Sequence, residues 1–461
     1  MNIHSKNINL EELVAKDNAH HFHPFTDHKQ FHADGGARIM THAEGPWIWD
    51  GNGNKMFDAM AGLWCVNIGY GRKELAEAAY RQMQDLPYYN TFFQTSTVPA
   101  TELADKISSL MPDRFNHIFF VNSGSEANDT VVRLIRQYWA LKGQPDRQVF
   151  IARHRAYHGS TIASLSLGGM DSMHAQGGAM LPGVEHVIEP DWFQLGGDLT
   201  PEEFGLKAAQ AVEDRILAVG ADKVAAFIGE PIQGAGGVII PPVTYWPEVQ
   251  RICKKYGILL VADEVICGFG RTGNWWGFET MGIEPDVVPM AKGMSSGYLP
   301  IGAVAVSDKI TEVVFDKGGE FYHGYTYSGH PASCAVALEN IRIIEDEKLV
   351  EKAADMAPYL HEKMSELNDH PIVGEVRTKG FIGAVELVSD KKNRVRFDDL
   401  GRVGGICRNH CLAHNLIMRA CWDTMVFSPP LCISRAEIDA FAGLTRAALD
   451  ATYADVKNEV A

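Results

Sequence analysis

The sequence predicts an α/β protein: a largely parallel sheet covered by helices, followed by a smaller α/β unit. Three observations carry this. Between about residues 75 and 335, helical stretches alternate with short apolar runs, the pattern of strands joined by crossover helices. The runs are bounded and rich in Val, Ile, Phe and Ala: His117–Asn122, Val149–Ala152, Val224–Gly229, Gly257–Ala262, Val287–Met290 and Ile301–Val306. The chain is also long, 461 residues with 46% hydrophobic, which suffices for about two to three packed units.

In chain order, residues 1–35 are polar and rich in His. The trio His20, His21 and His23 has no Cys or carboxylate at ligand-like spacing, so it predicts an arm packed on a partner surface and no metal site. Residues 38–58 alternate apolar and polar around Asp50-Gly51-Asn52-Gly53-Asn54 and read as a β-hairpin with a Gly/Asn turn. After the alternating region, Ala335–Asp346 and 349–368 read as helices. Phe381–Leu387 and Leu416–Arg419 read as strands, and Arg435–Ala451 as a closing helix.

Composition removes several classes of function. There are 42 basic and 58 acidic residues, a net charge of -16, which argues against a nucleic acid or an anionic membrane surface as partner. No uncharged apolar run reaches the roughly 18–20 residues of a membrane helix, and no cationic leader precedes an apolar stretch. None of the eight Cys forms a CxxC pair, and most lie in apolar runs. Reduced, buried thiols in a cytoplasmic protein are expected.

In an open α/β sheet, ligands bind beyond the carboxyl ends of the strands, so the residues just after each apolar run are the candidates. Gly257–Ala262 runs straight into Asp263 and Glu264. A buried acid there needs a partner; the plain reading is a loop cap, the functional one a carboxylate holding a cation such as a protonated pyridine nitrogen. Pro289-Met290-Ala291 runs into Lys292, then Gly293 and small residues. Most lysines are surface charges, but an amine at a strand end beside a roomy turn is placed to form a Schiff base. Val121-Asn122 leads into Ser123-Gly124-Ser125-Glu126 and a helix whose face is Ala127, Val131, Leu134, Ile135 and Tyr138. That reads as an ordinary Ser N-cap or as a phosphate site at a helix N-terminus. Tyr157, after Val149–Ala152, is a packed loop aromatic or a ring stacked on a flat ligand.

Taken in order, these segments resemble the class III aminotransferases across nearly the whole length. The resemblance rests on Ser123-Gly124-Ser125-Glu126-Ala127, Tyr157-His158-Gly159, Glu230-Pro231-Ile232-Gln233-Gly234, Asp263-Glu264-Val265, Gly268-Phe269-Gly270-Arg271-Thr272-Gly273, Ala291-Lys292-Gly293 and Thr326-Tyr327-Ser328-Gly329-His330-Pro331. Within the family the chain is most similar to the ω-transaminases that use pyruvate as amino acceptor.

The resemblance implies fold type I of the pyridoxal-phosphate (PLP) enzymes, with a mostly parallel seven-stranded sheet in a large domain and a smaller α/β domain. Residues 1–75 then form an arm and part of the small domain, 76–335 the large PLP-binding domain and 336–461 the C-terminal small domain. It implies PLP cycling through pyridoxamine phosphate in two half-reactions, so ping-pong kinetics. Lys292 becomes the catalytic residue that holds the cofactor and shuttles the proton. Asp263 binds the pyridine nitrogen, with Glu230 orienting its surroundings. Tyr157 stacks on one ring face and Val265 packs on the other. Ser123, Gly124 and Ser125 hold the phosphate, helped by Thr326 of the second subunit, and His158 belongs to the same cofactor set. A site shared in this way makes the protein a homodimer. Trp64, Phe92 and Phe93 match substrate-pocket positions whose rings suit apolar or aryl amines, with core packing as their plain alternative. Arg419 takes the substrate carboxylate, a role that suits an Arg at a strand end.

Relatives acting on ornithine or γ-aminobutyrate carry Glu in a Gly-Glu-Ala-Gly stretch. Here it is Gly234-Ala235-Gly236-Gly237, which argues against those substrates and leaves Arg419 free for alanine and pyruvate. Decarboxylases, aminomutases and racemases share the architecture and remain the alternative, told apart by whether an amino acceptor is required. No strand-linked GxGxxG is followed by an acid about 20 residues on, which sets aside a nicotinamide dehydrogenase. A PLP-like regulator lacks an appended DNA-binding unit.

Overall fold

The computed structural model describes residues 9–460, so the first eight positions of the expected arm lie outside the described residues. Three short strands come first: β1 (Met40–Glu44), β2 (Trp47–Asp50) and β3 (Lys55–Asp58), each antiparallel to the next. The Asp50 side chain builds the predicted turn, accepting the backbone N–H groups of Asn52 and Asn54 at 2.9 Å each. Seven strands then make the central sheet: β4 (His117–Val121), β5 (Val149–Arg153), β6 (Val184–Val187), β7 (Val224–Gly229), β8 (Leu259–Ala262), β9 (Val287–Met290) and β10 (Gly302–Val306). Five more follow: β11 (Val373–Lys379), β12 (Ile382–Leu387), β13 (Leu416–Ile417), β14 (Arg419–Cys421) and β15 (Thr424–Phe427).

The central sheet has the order β4-β10-β9-β8-β7-β5-β6. Only β10 runs against its neighbours, pairing antiparallel with β4 and β9, so the sheet is mixed but mostly parallel. Both of its faces are buried, because successive side chains point to opposite sides. Leu259 and Val261 enter one apolar cluster while Leu260 and Ala262 enter another. Val304 and Val306 divide from Ala303 and Ala305 in the same way. The helix Gly124–Leu141 packs on the first of these faces with Ala127, Val131, Leu134, Ile135 and Tyr138 all buried, as its periodicity predicts. Since β4, β5, β7, β8 and β9 point the same way, the residues after each of them gather along one edge.

Several elements differ from the sequence reading, which also did not announce β11 or β15. Leu416–Arg419 is not one strand: β13 pairs parallel with β3, whereas β14 joins β11, β12 and β15 in a separate sheet. Met418 is the break between them, buried at the changeover. The helix read from Ala335 starts at Pro331, whose fixed φ suits a first turn. β6 is a further strand, three residues half-buried and Val187 buried, that the sequence did not announce. At the N-terminus, Asp17 corrects the view that the His trio lacks a carboxylate partner. One turn before His21 on the helix Leu10–His20, its two oxygens lie 3.1 Å from His21 Nδ1 and 2.7 Å from His23 Nε2.

Candidate active site

Along that strand edge lies a cavity of about 360 Å³. Ser123, Gly124 and Ser125 arrive from β4, Tyr157 and His158 from β5, Glu230 from β7, Asp263 and Val265 from β8, and Lys292 from β9, and all of them line it. Nine of the sequence-predicted residues therefore meet in one place.

Lys292 sits in the connection that reverses the chain from β9 to β10, at φ +48°. A left-handed backbone at a residue with a side chain costs of order 1–3 kcal/mol and persists only where its surroundings hold it. Burial pushes the amine below the usual lysine range, opposed chiefly by the charge of Asp263. A lysine in that environment reaches its neutral, nucleophilic form at a lower pH than a surface lysine.

Asp263 is held by three donors on two oxygens. His158 Nδ1 lies 2.7 Å and Asn128 Nδ2 2.9 Å from Oδ2, and the Val265 N–H donates to Oδ1 at 3.1 Å. Asn128 also donates to the His158 carbonyl at 2.8 Å, so carboxylate, imidazole and amide form one buried unit. Asn128 was not singled out from the sequence. Its signal is a polar residue on the buried face of an amphipathic helix.

The resemblance expects Glu230 to orient the Asp263 region, but its hydrogen bonds run elsewhere. Oε1 accepts from the Tyr157 N–H at 3.2 Å and Oε2 from the Gly234 N–H at 2.9 Å. Glu230 thus fixes the backbone that carries Tyr157. Its complete burial raises its pKa.

The Ser-Gly-Ser turn is the N-cap that one of its sequence readings expects. Ser123 Oγ caps the helix, accepting from Glu126 N at 3.2 Å, and the Ser123 carbonyl takes Ala127 N at 3.0 Å. The earlier N–H groups, of Gly124 and Ser125, have no partner inside the helix and are left for an anion. Space there is reserved. A Cβ on Gly124 would lie 3.0 Å from both methyls of Val265, and one on Gly159, at φ +139°, only 2.5 Å from Ser125 Oγ.

Five predicted residues do not line this cavity. Phe92 lines a different hollow with Phe119, Phe120 and Gly324. Phe93 is 87% exposed. Thr326 is exposed, its carbonyl accepting from Tyr88 Oη at 2.7 Å. Trp64 packs in a separate apolar cluster with Ile266 and Ile232, while its neighbours Leu63 and Cys65 line the cavity. Arg419, the fifth, is half-buried on β14. Its guanidinium makes no ion pair or hydrogen bond among the described residues, and its charge helps depress the Lys292 amine.

Fold and pocket together define an α/β protein whose strand-edge cavity holds a buried lysine. The chain belongs to the class-III aminotransferases: the model of that family matches residues 31–449. It is 56% identical to a putrescine–pyruvate aminotransferase of Pseudomonas aeruginosa over 99% of this chain and 100% of that protein. It is 42% identical to the chloroplastic gamma aminobutyrate transaminase 3 of Solanum lycopersicum over 87% of this chain and 78% of that one. Among solved structures, an (S)-enantioselective omega-transaminase from Thermomicrobium roseum is similar at a TM-score of 0.94 and 44% identity, covering 97% of this chain and 100% of that one. The omega transaminase of Pseudomonas jessenii in complex with PMP is similar at 0.94 and 41%, covering 96% and 99%. The protein is a transaminase, and the decarboxylase, aminomutase and racemase alternatives give way to that assignment.

Proposed function

We propose that this transaminase moves an amino group from an aliphatic amine of the putrescine type to pyruvate, using pyridoxal phosphate held in the strand-edge cavity. The observation that carries the cofactor reading is the arrangement of three groups in one cavity: a buried amine, a buried carboxylate with three donors, and a helix N-terminus with free N–H groups. The Pseudomonas jessenii relative, solved with PMP, supports it. Pyridoxal phosphate supplies, when bound, an electron sink for the charge that develops at the substrate carbon.

The protein's own part follows from its residues. Asp263 binds a protonated ring nitrogen, and His158 and Asn128 keep it from turning away. Gly124 and Ser125 bind the phosphate through the helix end, with Ser123 capping that end. Tyr157 covers one ring face from a backbone fixed by Glu230, and Val265 covers the other. Lys292 takes the proton from the substrate carbon and returns it on the cofactor side, a task for which a lowered amine pKa is suited. Arg419, free of a carboxylate partner, binds the carboxylate of the keto acid. Trp64 shapes the amine side of the pocket from behind Leu63 and Cys65.

The active unit is a homodimer. Thr326, Phe92 and Phe93 lie away from their own cavity, and Phe93, Tyr322 and Tyr327 are large apolar groups left 87%, 77% and 59% exposed. A second copy covering them would bring the partner subunit's Thr326 to the phosphate and the partner subunit's Phe92 and Phe93 to the substrate. Eight free cysteines fit the reducing cytoplasm, and no helix among the described residues is long and apolar enough to cross a membrane. The relative with (S)-selectivity supports the same preference here.

The test is spectroscopic. Purified enzyme is mixed with putrescine, β-alanine, taurine, γ-aminobutyrate or an aryl-alkyl amine in the absence of keto acid, and pyruvate is added afterwards. Putrescine should bleach the visible cofactor band fastest, and pyruvate should restore it with formation of alanine. A band that γ-aminobutyrate bleaches faster would move the donor to that of the Solanum relative. Failure of pyruvate to restore it would remove pyruvate as acceptor.

A further inference from the structure

The left-handed backbone at Lys292 is followed by a single tight turn, Lys292–Met294. Its backbone bonds run from Met294 N to the Ala291 carbonyl at 3.0 Å, and from Ser295 N and Ser296 N to the Lys292 and Gly293 carbonyls at a long 3.3 Å each. Two of the turn's carbonyls also accept from one side chain. Asn340 Nδ2 donates to the Gly293 carbonyl at 2.9 Å and to the Met294 carbonyl at 3.0 Å. Asn340 is fully buried on the helix Pro331–Asp346, between Val336, Ala337, Ile341 and Ile344, which are buried too. Packing alone would favour an apolar residue at such a position, because burying an amide is costly unless it is paired. Here one half of the amide has no partner: Asn340 Oδ1 is buried and unbonded. The donating half is what accounts for the residue. On the other side of the turn, Asn67 Nδ2 occupies the space where a Cβ on Gly293 would fall, 2.6 Å away. Asn67 is itself fixed, donating to the Phe269 carbonyl at 2.8 Å and accepting from Arg271 at 2.6 Å.

We propose that Asn340 is a positioning residue for the reacting amine: its amide bridges the Gly293 and Met294 carbonyls and holds the left-handed backbone from which the Lys292 side chain projects. The inference rests on the reading of Lys292 as the residue that holds the cofactor and moves the proton. Only a side chain with two N–H donors on one atom can bridge both carbonyls. Leu offers none, and an ionised Asp would set a carboxylate against two carbonyl oxygens.

The experiment compares wild-type holoenzyme with Asn340→Leu, Asn340→Ala and Asn340→Asp. Thermal midpoint, visible absorbance across a pH series, and kcat and KM for putrescine and pyruvate are measured. With the turn released, kcat should fall roughly tenfold to a hundredfold, the scale of misplacing a reacting group by about 1 Å. The KM values should stay within about threefold, and the pH midpoint of the visible band should shift. A lowered thermal midpoint with wild-type kcat and an unshifted band would make Asn340 a packing residue and overturn the proposal. A crystal structure of the wild-type holoenzyme decides the matter if the variants do not fold. An amide bridging both carbonyls supports it, and an amide turned away from them overturns it. A wild-type enzyme with no visible band would fail one step earlier and remove the Lys292 reading, and the Asn340 proposal with it.

Discussion

At the scale of single residues, the cost of burying Lys292 is also its usefulness. Desolvation lowers its folded pKa below the unfolded value, so the folded state prefers the neutral amine. The penalty is absent above the unfolded pKa, grows as pH falls from there to the folded pKa, and is constant below it. The cofactor-free Lys292→Met protein should therefore melt above cofactor-free wild type at neutral pH, with the gap closing toward pH ~10; thermal melts across that range check it. In the same variant, turnover should fall by at least the roughly 10²–10⁴-fold attributable to proton transfer by a positioned side chain, measured in the amine half-reaction. Lys292 and Asp263 were legible because each follows an apolar strand without a break. Asn128 and Asn340 were not. An isolated Asn on an apolar helix face does not announce which backbone group or carboxylate it will meet.

At the scale of elements, the turn from β4 into the helix Gly124–Leu141 and the loop after β5 are built around absent side chains. Gly159→Ala would place a methyl 2.5 Å from Ser125 Oγ at a backbone angle, φ +139°, that side chains avoid. The loop must shift away from the helix end, so the concentration of pyridoxal phosphate giving half-saturation should rise about tenfold or more, equivalent to 1.4 kcal/mol. The Gly159→Ala enzyme should recover most of its kcat at saturating cofactor. Titrating the visible band against added cofactor measures the first, and initial rates the second. Strands β7 to β10 of the central sheet were readable because they are buried at every residue and so are apolar throughout. β13 and β14 were not separable, since four consecutive residues carry no mark of where a chain leaves one sheet for another.

At the scale of the whole molecule, Thr326 lies away from the cavity of its own chain. If the partner subunit's Thr326 completes the phosphate site, Lys292→Ala and Thr326→Ala should each be impaired alone. Mixed dimers should then regain activity, because the Lys292→Ala chain lends an intact Thr326 to the one site that keeps its lysine. Unfolding and refolding the two variants together, then assaying at limiting cofactor, tests this; a mixture no more active than the sum of its parts would place Thr326 outside the shared site. The exposed rings of Phe93, Tyr322 and Tyr327 further predict that the protein runs as a dimer or larger in sedimentation at micromolar concentration.

The sequence by itself determined the α/β class, the strand ends, and the residue types waiting there: an amine, a carboxylate, a Ser-Gly-Ser helix start and a ring. Those are local properties, since burial imposes a period on the apolar residues and a polar group at a strand end breaks it. Only the tertiary structure decided which of these groups share a cavity, that His158 and Asn128 lock Asp263, that Glu230 serves Tyr157, and that Asn340 reaches the turn after Lys292. Such pairings join residues far apart in the chain, and the direction of a side chain across a packed interior is set by the sheet order and the helices laid on it.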